Sequence, residues 1–190
     1  FGNDEVYYWT YAMYPDWSHF DHPPMVGWLI QLFSCNLLFD SEFFLRLSSV
    51  IFMTINTYLV FLIGKQVKNE QTGFYAALLY TASIYAFVIT GIFILPDTPL
   101  SIFTLLAVLQ FVKYFQYEKN KHLLLAGLFT GLAMLSKYSG VFVWVGVGLY
   151  VIIYARKEFK NPFLYLSVLI SAVCMLPVLI WNLNNDFISF

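Results

Sequence analysis

The stretch "LLLAGLFTGLAMLSKYSGVFVWVGVGLYVIIYA", Leu123 to Ala155, contains one charged residue, Lys137. As one helix it would run about 48 Å at 1.5 Å per residue, too long for a hydrocarbon core of ~30 Å. Two short spans meeting at "SKYSG" (Ser136 to Gly140) fit the length better. The choice decides on which side of a membrane every later turn falls. The composition supports a membrane setting: 60% of the 190 residues are hydrophobic and 11% are charged, against roughly 25% charged in soluble domains. Mean hydropathy is +0.71, which implies an all-α integral membrane protein. A net charge of −1 argues against a nucleic-acid partner, which a basic surface would attract. The aromatic share of 21%, with 14 Tyr and 20 Phe, suits interfacial belts and packed helices.

Working outward, the sequence predicts six spans at about 47–64, 74–95, 99–115, 123–136, 140–155 and 163–181, forming a transmembrane region over 47–190. Residues 1–22 are polar and aromatic and read as the first extracytoplasmic loop. Residues 23–46 read as an interfacial helix and linker: Pro23 and Pro24 can open a helix, and the apolar run Met25 to Phe39 is short for a span of about 20 residues. With residues 1–22 outside, six spans place eight of the ten basic residues in the inner turns, leaving Arg46 and Lys137 outside. This is the expected positive-inside bias. Eight of the eleven acids fall outside, including Asp4, Glu5, Asp21 and Asp97. The chain starts at Phe1 and ends at Phe190 without evident signals, and reads as a piece of a longer protein. Cys35 and Cys174 lie in apolar runs and are expected to be free and buried. Gly127, Gly131 and Ala133, and less regularly Gly146 and Gly148, have the spacing of closely packed helices.

Several groups could carry chemistry. Asp4 and Glu5 are adjacent carboxylates: one can act as a base while the other orients an acceptor or binds a cation, and a helix N-terminus is the plainer reading. In "HFDHPP", His19, Asp21 and His22 make a loose metal half-site, or His22 could meet a phosphate or hydroxyl. Asp97, in "LPDTP", either caps a helix or is a partly desolvated carboxylate. Lys137 is an exposed turn lysine or a cation aimed at a lipid phosphate. Arg46 could bind a headgroup or pair with Glu42 at i, i+4. No P-loop, G-x-S-x-G or CxxC motif is present. A multi-pass transporter or a non-catalytic scaffold is the alternative, but transporters concentrate charge near the bilayer midplane.

Taken in order, "DEVYY", "FDHPPMVGWL", "SEFFLRLSS", "LPDTPL", "GLAMLSKYSG" and "PVLIWNLNNDFISF" resemble the bacterial polyprenyl-phosphate-sugar-dependent glycosyltransferases of the GT-C fold. These are the family 39-like group related to protein O-mannosyltransferases and the lipid A aminoarabinose transferase. The resemblance implies a GT-C helical bundle in the inner membrane, with its active site on the extracytoplasmic side, and further helices before Phe1 and after Phe190. It implies Asp4 and Glu5 as the acidic motif, with Asp4 as catalytic carboxylate, and Asp97 as the second acid. His22, after Asp21, stands where the aminoarabinose enzymes have a lysine for the donor phosphate, and Lys137 matches the lysine of their L-x-K motif. Arg46 and Tyr8 join them as substrate-binding candidates. The implied partners are a polyprenyl-phosphate-linked sugar and a lipid, glycan or protein acceptor. A lipid-linked donor needs no nucleotide; no cofactor is assigned, and a divalent cation is left open. Transfer would invert the anomeric centre. Related lipid-polymer ligases and oligosaccharyltransferases differ in using diphosphate-linked donors with a metal.

Overall fold

The computed structural model describes residues 2–189, which are mostly helical; no strand occurs among them. Helix α1 spans Asn3–Met13 and α2 Met25–Phe33. Then come α3 (Glu42–Val67), α4 (Glu70–Ala82), a π-helical turn at Tyr85–Ile89, and α5 (Asp97–Tyr117). Helix α6 spans Asn120–Ser136 and α7 Phe142–Tyr154, with a 3₁₀ turn at Tyr138–Val141 between them. A second 3₁₀ turn, Arg156–Lys160, leads to α8 (Pro162–Cys174) and α9 (Leu176–Asn184).

Local chemistry sets many of these ends. The Asn69 side chain accepts from the Thr72 N–H at 2.9 Å and opens α4. Asn161 accepts from the Phe163 N–H at 3.0 Å, and Pro162 fills the first position of α8, where no N–H is needed. Helix α5 ends at Glu118 in a left-handed conformation (φ 53°).

The long helices pair in the order α4–α3–α5–α6–α8. Helices α1 and α2 pack together over one end of this row, through a cluster of Tyr11, Ala12, Val26, Ile30, Leu45 and Ile94. Their approach is close: a Cβ on Gly27 would lie 2.8 Å from the Tyr11 Cβ.

The helix boundaries differ from the sequence expectation in several places. The linker assigned to 23–46 stops short, because α3 already begins at Glu42 behind Ser41; Arg46 therefore sits on α3. The expected span 74–95 is broken. Helix α4 ends at Ala82, Ser83 is extended (φ −73°, ψ 127°), and regular α-helix resumes only at Asp97. The unwound stretch is tolerated because its backbone groups find partners elsewhere. The Phe93 carbonyl accepts from Ser49 at 2.9 Å and Thr98 at 3.1 Å, and the Ile94 N–H donates to Glu5 at 3.3 Å. The expected span 163–181 bends by 42° between α8 and α9, beside Pro177, which supplies no N–H to the helical ladder. Among the described residues, α3 and α5 are long and apolar enough to cross a membrane, and the bent α8–α9 pair makes a third if counted as one span. The six spans expected are thus not all single, full-length helices.

Two smaller expectations also change. Cys35 is exposed, in a left-handed run with Asn36 and Leu37, and Cys174 is half-buried. Gly146 and Gly148 face open space, whereas a Cβ on Gly127 would lie 2.3 Å from the Ser167 carbonyl oxygen on α8. The close α6–α8 crossing therefore depends on Gly127. We expect Gly127→Ala to destabilise the protein by about 1–3 kcal/mol through overpacking, while Gly146→Ala leaves it unchanged. Thermal melts of the two variants side by side check this.

Candidate active site

The site is built where α1 and the loop after it meet the unwound stretch before α5. Glu5, on the first turn of α1, is 1% exposed. Its carboxylate accepts from Arg46 Nε at 2.8 Å and Arg46 Nη2 at 2.6 Å, from the Gly2 N–H at 2.8 Å and from the Ile94 N–H at 3.3 Å. Arg46 also reaches Glu42 at 3.0 Å, one turn away on α3. The geometry is that of an anchor joining α1, α3 and the approach to α5. Both Glu5 oxygens are engaged, and the Arg46 charge is shared between two carboxylates.

Asp4, one residue earlier, is exposed and makes no hydrogen bond or ion pair with another described residue. One turn on, the half-buried Tyr8 ring faces a convergence of charge. Burial, and then the charges of Asp21, Asp4 and Asp97, push its hydroxyl well above the ordinary value. Tyr8 is thus within electrostatic reach of three of the sequence-predicted carboxylates. Against its ring stacks His22, with centroids 5.6 Å apart. The His22 Nδ1 is buried and has no hydrogen-bond partner, a condition that a native site usually relieves with a ligand or water.

Asp97 and Lys137, forty residues apart, form one ion pair. Lys137 Nζ lies 2.9 and 3.1 Å from the two Asp97 oxygens, and the Tyr85 hydroxyl donates to one of them at 2.8 Å. Asp97 opens α5, where a carboxylate complements the helix dipole. Lys137 sits at the extended break between α6 and the next turn (φ −157°, ψ 137°). A cleft of about 840 Å³ lies between α5 and α7; the pair does not line it, but its wall residues Leu100 and Ser139 follow Asp97 and Lys137 closely in the chain. Phe111 and Val147 line it further along, and Phe115 and Gln116 at its far end. Its walls are mostly apolar, with Thr104, Gln116 and Ser139 as the polar members.

Asp21, His19 and His22 are placed differently from one another. Asp21 accepts from the Tyr7 hydroxyl at 2.8 Å and from the Tyr11 hydroxyl. Burial opposes its ionisation, but these two bonds and the neighbouring His22 outweigh it, so the carboxyl titrates below its ordinary value. His19 stacks on Tyr11 at 3.6 Å, and burial, only partly offset by Asp16 and Asp21, lowers its pKa. Among the described residues no three His, Cys, Asp or Glu side chains are grouped to hold a metal ion. Asp21, His19 and His22 therefore do not assemble with another such group into a metal cradle; each stacks on, or bonds to, a tyrosine.

Sequence reasoning passed over Tyr7, Tyr11 and Tyr85. The i, i+4 spacing of Tyr7 and Tyr11 was a usable signal that both hydroxyls lie on one helix face. Nothing local marked Tyr85, which reaches Asp97 only because the chain unwinds between them.

This constellation, on an all-helical framework with apolar spans, defines a class. A family model described as dolichyl-phosphate-mannose-protein mannosyltransferase matches residues 21–181, and the chain belongs to this family of membrane glycosyltransferases. The match includes Asp21, His22, Arg46, Asp97 and Lys137; Asp4 and Glu5 precede it. A lipid A galacturonosyltransferase, RgtD, from Rhizobium johnstonii (strain DSM 114642 / LMG 32736 / 3841) is 27% identical over 184 residues. The alignment covers 96% of this chain and 38% of that relative. No solved structure gives a significant match.

Burial alone would hold the Glu5 proton on, but the Arg46 hydrogen bonds and the two backbone N–H groups more than compensate, so its folded pKa lies below the ordinary 4.5. A carboxylate with a depressed folded pKa stabilises fully above its unfolded value, and that stabilisation is lost as pH falls through the folded one. Melting temperature should therefore drop on acidification below about pH 4.5. Glu5→Gln should be less stable at pH 7 and show a flatter acid limb, as measured by thermal melts between pH 3 and 7.

Proposed function

We propose that this chain forms the catalytic portion of an inverting membrane glycosyltransferase that moves a sugar from a polyprenyl-phosphate donor to an acceptor hydroxyl. The observation that carries the reading is the Asp97–Lys137 pair, close in the chain to Leu100 and Ser139 at one end of the apolar cleft between α5 and α7. A lipid monophosphate has the same division, an anionic head on a long apolar tail. Lys137 has three N–H donors, and Asp97 occupies two directions; the third is left for a phosphate oxygen.

In the proposed reaction the acceptor oxygen attacks the anomeric carbon as Asp4 takes its proton. The bond from that carbon to the phosphate oxygen breaks, and the polyprenyl phosphate leaves with the electron pair. Lys137 stabilises the departing charge. Asp97 holds Lys137 and, with Tyr85, orients it; His22 and Tyr8, stacked on each other, are the proposed contacts to the sugar or its phosphate. Glu5 acts as a positioning residue that fixes the turn of α1 bearing Asp4, and Arg46 acts through Glu5. Asp4 suits the base because it alone of the acidic pair is exposed and uncommitted.

The acceptor is a hydroxyl of a lipid, glycan or protein, and the activity named for the relative favours a glycolipid. We place the enzyme in the inner membrane with this site on the extracytoplasmic side. Its six apolar segments cross or partly cross the bilayer, some as broken helices, and the outward acids and inward lysines set the orientation.

The full-length protein incubated with polyprenyl-phosphate sugars should release polyprenyl phosphate and a glycosylated product, both seen by mass spectrometry; no release from any such donor would end the reading. Asp4→Asn should cut kcat by 10²-fold or more, the usual scale for a lost general base, with donor KM little changed. Lys137→Met should lower kcat and raise donor KM together. If Asp4→Asn kept normal turnover, the base would have to be another group.

A further inference from the structure

On the loop between α1 and α2 a second cleft opens, and nothing in the proposed chemistry uses it. Pro15, Asp16, Trp17 and Trp28 line it, and its volume is about 280 Å³. This lies at the lower edge of the roughly 300–1,000 Å³ typical of small-ligand sites, the scale of a sugar ring rather than a lipid tail. Trp17 is 58% exposed. Trp28, on α2, is half-buried and rests against the cluster of Met25, Leu135 and Val178, which also supports Tyr138, the neighbour of Lys137. One indole is thus presented and the other is rigidly backed.

The cleft's polar group is also held in place. One oxygen of Asp16 accepts from the Trp17 N–H at 2.7 Å, and the other accepts from Trp181 Nε1 on α9 at 2.7 Å. Each carboxylate oxygen has two acceptor directions, so both retain one for a ligand. The carboxylate is preorganised by two elements distant in sequence, which lowers the entropy cost of using it.

We infer that this cleft is a saccharide subsite: a pyranose ring lies against the Trp17 and Trp28 indoles while its hydroxyls donate to Asp16. A pyranose has a face of C–H groups that meets the electron-rich face of an indole, and a rim of hydroxyls that a fixed carboxylate accepts strongly. A phosphate would be repelled by Asp16, and a hydrocarbon tail would leave that carboxylate desolvated without a donor. The cleft shares no wall residue with the α5–α7 groove or the Asp97–Lys137 pair. It therefore takes a sugar of the acceptor lying away from the reacting hydroxyl, not the sugar being transferred. The assignment to the acceptor rests on the glycosyltransferase reading; the sugar-binding itself does not.

Saturation-transfer NMR on the full-length protein in lipid nanodiscs tests the site without turnover, using methyl β-D-glucopyranoside as probe and sorbitol, which has hydroxyls but no ring face, as control. The glucoside should be saturated through its C–H face above the level of empty nanodiscs, and sorbitol should not. Trp17→Ala and Asp16→Asn should each reduce the effect at least fivefold, and Trp17→Phe should retain much of it. No saturation in the wild type, an equal signal from sorbitol, or no change in Trp17→Ala would overturn the subsite and leave the two tryptophans as an interfacial belt. In turnover assays with a glycan or glycolipid acceptor, Trp17→Ala should raise acceptor KM about tenfold with donor KM and kcat unchanged. Unchanged acceptor KM in an active enzyme would remove the acceptor role alone. Glucoside binding by a protein that releases no polyprenyl phosphate would keep the subsite and sink the transferase reading.

Discussion

The contact on which the rest of the site depends is the bidentate pair between Glu5 and Arg46. A carboxylate that is almost fully buried is costly to desolvate, and here four donors offset that cost: two from Arg46 and the backbone N–H groups of Gly2 and Ile94. The set ties together three pieces of chain that share no secondary structure. Arg46 comes from α3, Gly2 from the start of α1, and Ile94 from the unwound approach to α5. Once α1 is fixed against α3 in this way, Asp4 and Tyr8 have a defined direction, and His22 and Asp21 fold back onto the tyrosines of the same helix.

The irregular stretch from Ser83 to Pro96, a π-helical turn followed by an open segment, is the second feature of consequence. Within apolar surroundings an open backbone survives only where its N–H and C=O groups are satisfied. Ser49, Thr98 and Glu5 supply those partners from α3, α5 and α1. The break brings Tyr85 within reach of Asp97 and presents Asp97 at a helix N-terminus, facing Lys137 at the break between α6 and α7. Two interruptions in otherwise apolar helices therefore create one polar point, the Asp97–Lys137 pair.

Much of the candidate site's membership was legible in the sequence. Asp97 and Lys137 stand out as single charges within apolar runs, and Asp4, Glu5 and His22 as members of a cluster of titratable groups in residues 1–22. Their roles were less legible. Asp4 and Glu5 look equivalent as neighbours, yet one side chain is locked inward and the other is exposed, because successive residues on a helix point about 100° apart and only one direction meets Arg46. The sequence pattern treated Lys137 and Asp97 as separate candidates, and no local feature says that they are paired. The helix limits were read less well where polar side chains remote in sequence satisfied the backbone, as at 83–96, or where Pro177 bent a run of uniform apolarity.

The sequence alone determined that the chain is helical and membrane-embedded, that its charges cluster at the ends of apolar runs, and that one run of thirty-three residues must break near Lys137. These follow from composition and from the length of a helix against the thickness of a bilayer, which need no knowledge of neighbours. Only the tertiary structure decided which carboxylate is an anchor, which cation is paired, and where helices are interrupted. Those outcomes depend chiefly on donors and acceptors brought together from positions 40 to 89 residues apart. Hydrophobic periodicity carries no information about such partners, because a buried polar group is stabilised by the particular atoms it meets.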